Sequence, residues 1–199
     1  MRKLVLIAHI SLDGFVAGVN GELDDFDASE ENLQFVCSLT READSALFGR
    51  TSYELLNNYW PNAKNLPNAS KGTVAYSNWY NSVKKIVISK TLSEQDLKNT
   101  TIISANIQEE ISKLKNQPGK EILIFGSPAV SQLLMQHDLI DRYWILVNPI
   151  IFGRGIPLFT EMSNKIKVKL ELTKQFANGE FALCYSRSTN VSRQPASFV

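Results

Sequence analysis

The chain has 199 residues, of which 44% are hydrophobic and 21% charged, enough to build one sizeable core and unlike a disordered composition. A formal net charge of +1 sets up no overall field for nucleic acid or an anionic membrane surface, so neither is an expected partner. Two cysteines, Cys37 and Cys184, and two histidines, His9 and His137, have no metal-ligand spacing; no metal is expected, and free thiols in a cytoplasmic protein are.

Arg2-Lys3 before Leu4-Val5-Leu6-Ile7-Ala8 imitates the start of a signal peptide, but His9 and Asp13 end the apolar run too soon. No other run approaches the ~18 apolar residues of a membrane span. Residues 3–10 instead read as a strand covered on both faces, broken at Asp13-Gly14. An acidic loop follows (Glu22, Asp24, Asp25, Asp27), then a helix capped by Ser29 with Leu33, Val36 and Cys37 on one side. Ser45–Phe48 is a short strand running through Gly49-Arg50 into a helix that Thr51 and Glu54 open with capping-box spacing. Residues 57–73, with Pro61, Pro67 and Gly72, read as the longest irregular stretch.

Strands are expected again at 85–89 and 100–104, and a helix behind Asn106 with Ile107, Ile111 and Leu114 inward. Residues 121–125 form a strand that turns at Gly126-Ser127 into a helix with Pro128 first and Val130, Leu133, Leu134 and His137 inward. After a strand at 143–147 and a loop marked by Gly153 and Gly155, residues 167–176 alternate with Val168, Leu170 and Leu172 on one face. Asn178-Gly179 then turns the chain back through 181–185. Alternating strands and helices, followed by a hairpin, specify a mostly parallel sheet with an antiparallel edge.

Two segments share one arrangement, a strand ending in glycine that leads directly into a helix: Phe48-Gly49-Arg50-Thr51 and Phe125-Gly126-Ser127-Pro128. Glycine lets a ligand approach the backbone, and the free N–H groups of a helix start favour an anion. Ser89-Lys90 adds a hydroxyl and an ammonium at a third strand end. Singly, each glycine is as well explained by a tight turn, and Arg50 and Lys90 by solvated surface charge; their coincidence is what points to a site. Neither a GxGxxG nor a Walker A sequence is present.

Leu6-Ile7-Ala8 through Asp13 to Gly18, Phe48 through Glu54, Ile88-Ser89-Lys90 and Ile124 through Ser127 stand in the order found in the dihydrofolate reductase-like fold, which the chain resembles over residues 3–186. Ser11-Leu12-Asp13-Gly14, and Leu139-Ile140-Asp141 through Pro149–Phe159, are similar to one branch, the C-terminal reductase domain of the bacterial riboflavin-biosynthesis protein RibD and its stand-alone relatives.

The resemblance implies an α/β, dihydrofolate reductase-like three-layer sandwich, with a mostly parallel central sheet and a C-terminal antiparallel hairpin. It would be a single domain over residues 1–187 with a polar tail at 188–199. It implies an NADPH-dependent oxidoreductase that passes hydride to a small heterocyclic or imine-like substrate, as 5-amino-6-(5-phosphoribosylamino)uracil reductase does, and a homodimer formed through the late strands. Ala8, His9, Val16 and Ala17 would line the nicotinamide. Phe125, Gly126, Ser127, Pro128 and Ala129 would pass the pyrophosphate and ribose. Gly49, Arg50 and Thr51 would take the adenosine side, and Ser89 and Lys90 the 2′-phosphate. Tyr59 and Trp60 would line the substrate pocket.

Dihydrofolate reductases carry a carboxylate on the first helix, a position that falls here near Leu33-Gln34, where there is no acid. That leaves water or Asp13 as the candidate proton source, although an aspartate before Gly14 is more simply a turn former. Asp25 and Asp27 lie on the preceding loop. Dihydrofolate reduction and a nucleotide-binding module without turnover stay open as alternatives.

Overall fold

Among the described residues, five helices and ten strands are formed, with Leu4–Ile10 (β1) near the middle of an eight-stranded sheet of order β5-β4-β3-β6-β1-β7-β10-β9. The structure is a computed structural model and describes residues 1–23, 26, 29–92, 97–162 and 164–188. The other strands of the sheet are Ala43–Gly49 (β3), Lys84–Ile88 (β4), Thr100–Ile103 (β5), Glu121–Phe125 (β6), Arg142–Val147 (β7), Val168–Gln175 (β9) and Phe181–Arg187 (β10). The pairs from β5 through β7 are parallel, and β10 pairs antiparallel with both β7 and β9.

The apolar run of β1 exists because both faces are covered. Leu4, Leu6, Ala8 and Ile10 pack into one core with Ile111 of Ile107–Asn116 (α4) and with Val130 and Leu134 of Pro128–Gln136 (α5). Val5 and Ile7 pack into the other, with Val36 of Glu30–Thr40 (α1), Tyr53 of Arg50–Ala63 (α2), and Tyr76 and Tyr80 of Lys71–Ser82 (α3). Period-2 alternation along one strand thus feeds two helical layers, giving the expected three-layer sandwich.

Three expectations need correction. The Thr51–Glu54 spacing does not start α2; the helix begins at Arg50, Gly49 is its N-cap, and no side chain caps it. The stretch 57–73 is not irregular throughout, because α2 continues to Ala63 with Pro61 inside its last turn, and Ser70 caps α3 by accepting from Thr73 N. Polar composition concealed α3, whose buried Gly72, Tyr76 and Tyr80 recur every four residues. Asn106 does precede α4, but its side chain makes no cap bond.

A second, two-stranded sheet, Phe15–Ala17 (β2) against Ile156–Pro157 (β8), had no signal strong enough to read. It explains Gly155, since a Cβ there would collide with the Ala17 carbonyl. On the outermost strand β9, Val168, Leu170 and Leu172 remain exposed. Asp24, Asp25 and Asp27, and the tail beyond Ser188, lie outside the described residues.

Candidate active site

Because β1, β3, β4 and β6 run parallel, their carboxyl ends share one edge of the sheet, the edge at which open α/β sheets bind ligands. Two turns there touch. A Cβ on Gly49 would collide with Ser127 Oγ and reach Val130 at 3.0 Å, so a bare backbone is what lets the β3–α2 and β6–α5 turns nest. Helices α2 and α5 both start without a side-chain cap, as does α4, whereas Ser29 and Ser70 cap α1 and α3. The starts of α2 (Arg50, Thr51) and α5 (Pro128, Ala129) therefore place uncapped backbone N–H groups side by side, a setting that favours an anion. Pro128, first in its helix, gives up only an N–H that the helix could not use.

Gly126 has φ +54°, and a Cβ there would meet nothing nearer than Ser52 Oγ at 3.8 Å. Its N–H donates to the Ile7 carbonyl at 3.3 Å and its carbonyl accepts from Ser131 Oγ at 3.1 Å, so the turn is held while its open side stays bare. Ser127 also adopts a left-handed φ, +55°, which a residue with a side chain takes only at some cost.

A cavity of about 560 Å³ opens beside this turn, between the end of β1 and helices α1, α2 and α3, within the range of small-molecule sites. Ile7, Ala8, His9, Val16, Leu33, Val36, Leu55, Leu56 and Phe125 make its walls mostly apolar, with Phe26, Tyr59, Trp60 and Tyr76 adding aromatic faces. The Trp60 and Tyr76 rings lie 4.2 Å apart between centroids. Of the described lining residues none is Asp, Glu, Lys or Arg.

The structure thus gathers Ala8, His9, Val16, Tyr59, Trp60, Phe125 and Gly126 around one cavity. Gly49, Arg50, Thr51, Ser127, Pro128 and Ala129 fall at the adjoining helix starts. Ala17 sits on β2 with its carbonyl against Gly155. Ser89, at the end of β4, is buried, and its hydroxyl accepts from the N–H groups of Thr91 and Leu92 at 3.2 and 3.0 Å, closing its own turn. Lys90 is exposed beside it, and Arg50 lies 4.0 Å from Glu54.

Asp13 stands apart. It is not among the lining residues; it accepts from Ser11 Oγ at 2.6 Å and from the backbone N–H groups of Phe152 and Gly153 at 3.1 and 2.7 Å. Those bonds, the Ser11 hydroxyl foremost, hold its carboxyl below the usual carboxylate range, so at neutral pH it has no proton to give. The same bonds fill the amides of the 152–153 loop with a carboxylate.

The acid that sequence reasoning missed comes from the far end of the chain. Glu180, just past the β9–β10 turn, is fully buried. Its Oε2 accepts from Asn32 Nδ2 at 2.6 Å, and its Oε1, which makes no hydrogen bond, lies 3.1 Å from His9 Nδ1. Asn32 and His9 both line the cavity. A glutamate following Asn-Gly reads as solvated turn residue; the only sequence signal was His9, a polar ring on an apolar strand that needs a partner.

Strand order and helix layers together define the dihydrofolate reductase-like fold. Residues 2–181 match the RibD C-terminal domain, and the chain belongs to that family. Two relatives from Bacillus subtilis (strain 168), the uncharacterized proteins YyaP and YwjB, are 32% identical over 186 residues and 31% over 176. The first alignment covers 92% of this chain and 94% of YyaP, the second 88% and 92% of YwjB. A putative riboflavin biosynthesis protein from Shewanella sp. PV-4 superposes with a TM-score of 0.67 at 19% identity, covering 94% of this chain and 99% of that one. The Thermotoga maritima diaminohydroxyphosphoribosylaminopyrimidine deaminase/5-amino-6-(5-phosphoribosylamino)uracil reductase gives 0.63 at 17%, covering 94% and 57%. Dihydrofolate reductase from Enterococcus faecalis, complexed with NADP(H), gives 0.59 at 16%, covering 93% and 96%. At such identities these structures bear on the fold.

Proposed function

We propose that the protein is an NADPH-dependent reductase that accepts a small, planar heterocyclic or imine-like substrate in the aromatic cavity. The observation that carries this reading is the Gly126 turn, bare backbone facing open space between two uncapped helix starts and the cavity. These residues fit a dinucleotide: Gly126 to Ala129 and Gly49 to Thr51 would receive its phosphates, and Arg50 and Lys90 would supply cations for the adenosine side. When bound, NADPH supplies hydride. The protein's part is to hold the substrate ring against Tyr59, Trp60 and Phe125, exclude water, and provide a proton.

Absence of a cation among the described lining residues favours an unphosphorylated ring over the phosphoribosyl substrate of the riboflavin pathway. Asp13 is assigned to anchoring the 152–153 loop. The apolar stripe Val168, Leu170 and Leu172 on an edge strand suits a second copy of the chain, since exposed edges invite pairing.

Fluorescence titration with NADPH, followed by NADPH-consumption assays on phosphorylated and unphosphorylated heterocycles, tests the reading. Saturable binding and turnover of the unphosphorylated set are expected, and no binding at millimolar NADPH would refute it.

A further inference from the structure

We propose that His9 is the proton donor of the reaction and that Glu180 is its positioning residue, a step that rests on the reductase reading above. Glu180 is fully buried, and Asn32 Nδ2 satisfies only its Oε2. Its Oε1 makes no hydrogen bond, and His9 Nδ1 stands 3.1 Å from it, at ion-pair distance. A buried carboxylate oxygen left without a donor is costly, so the pair favours a proton on Nδ1 turned toward Oε1. The imidazole is thereby fixed in orientation, as a carboxylate fixes a catalytic histidine.

Nε2 is then the free end of the ring. His9 lines the cavity, its side chain is 31% exposed, and no described residue bonds to Nε2. In the protonated ring Nε2 carries an N–H, and Glu180 compensates the charge from behind. The cavity, which has no other ionisable group but the phenols of Tyr59 and Tyr76 among its described lining residues, therefore has one built proton donor. Burial pushes the Tyr76 phenol well above its ordinary range.

The substrate class follows from this donor. With NADPH as reductant, hydride forms a C–H bond at the carbon of a C=N group, and the π pair moves to nitrogen. That nitrogen takes the proton from His9 Nε2, whose N–H bond breaks and leaves its pair on the ring; water then restores the proton. A neutral heterocycle with a weakly basic ring nitrogen needs this donor. A ring already alkylated and cationic at nitrogen does not.

The test uses the full chain and two probes, quinoxaline and 1-methylquinoxalinium, with wild type, His9→Gln and Glu180→Gln. Gln at 9 can still donate to Glu180, and thermal melts confirm folding. The first readout needs no NADPH. Ring-nitrogen NMR of histidine-labelled protein, with His9 and His137 told apart by His137→Gln, is expected to show Nδ1–H bonded to carboxylate in wild type. That signal is lost in Glu180→Gln, and Nε2 shifts when quinoxaline is added. A bare Nδ1, or an Nε2 indifferent to quinoxaline, overturns the proposal.

The second readout is turnover. The ratio of quinoxaline to 1-methylquinoxalinium reduction is expected to fall about 100-fold in His9→Gln, and in the same direction in Glu180→Gln, through kcat rather than KM. Equal losses on both probes would overturn the proton role and leave the reductase standing. If wild type reduces neither probe, the substrate reading falls, and the NMR result still decides where the proton sits.

Discussion

Gly126→Val separates folding from binding at the turn on which the cofactor reading depends. In the native backbone φ is +54°, and the Cβ of the new side chain meets no protein atom closer than Ser52 Oγ at 3.8 Å, chain neighbours aside. Its cost to the fold is therefore conformational. Holding a side-chain-bearing residue in the left-handed region costs roughly 1–2 kcal/mol, and the turn cannot relax freely, because Ile7 O and Ser131 Oγ hold both its backbone polar groups. For a chain of this size each kcal/mol lowers Tm by about 2–4 °C, so a fall of about 2–8 °C is expected. Against the cofactor, the branched side chain fills the gap itself. NADPH affinity is expected to fall about 100-fold, roughly 2.7 kcal/mol. Gly126→Ala, smaller and unbranched, should lose less of both. The assay pairs a thermal melt without NADPH with a fluorescence titration. A folded Gly126→Val protein with near-normal affinity would remove the turn from the site, and most of the dinucleotide assignment with it.

Four further outcomes are expected. NADPH should bind at least ten-fold more tightly than NADH, about 1.4 kcal/mol, and Lys90→Ala and Arg50→Ala should each narrow that ratio in paired titrations; equal wild-type affinities would refute the placement. Dihydrofolate should be reduced very slowly, because the described lining residues include no carboxylate to hold the pteridine ring; robust NADPH consumption with dihydrofolate would contradict this. Asp13 has a carboxyl held below 3.8 in the folded state, so its anchoring of the 152–153 loop is present above pH 3.8 and lost as pH falls through the lower folded value. Wild type should therefore melt above Asp13→Asn at neutral pH, with the gap closing in acid. Leu172→Lys should shift the protein from dimer to monomer in sedimentation equilibrium, and an unchanged mass would argue against β9 as the contact.

What was legible in the sequence was local. The apolar run of β1, the Ser29 cap, the Pro128 helix start and the Asn178-Gly179 turn each announce themselves within a few residues, and strand alternation then yields the layers. The glycine turns were legible as candidates, and their nesting required the β3–β6 pairing. The α3 helix was hidden because its buried face is one glycine, one serine and two tyrosines in a polar setting. Glu180 was hidden for another reason: its partner Asn32 lies 148 positions earlier, and no local pattern marks a carboxylate buried by a contact of that range.

That separation has a consequence for how the protein comes into being. Chains emerge from the ribosome amino end first, so His9 and Asn32 are exposed long before Glu180 exists to receive them. Strand β10, which Glu180 precedes, is also the strand that joins β7 to β9. Until it docks, Trp144 and Leu146 of β7 lack the neighbours Cys184 and Ala182 that cover them. A nascent chain stalled before the final hairpin would hold nearly every cavity residue while having an open sheet edge and an uncompensated histidine. Completion of the proton donor and addition of the last two strands are thus one late event, and a chain shortened by its last hairpin would lose both together.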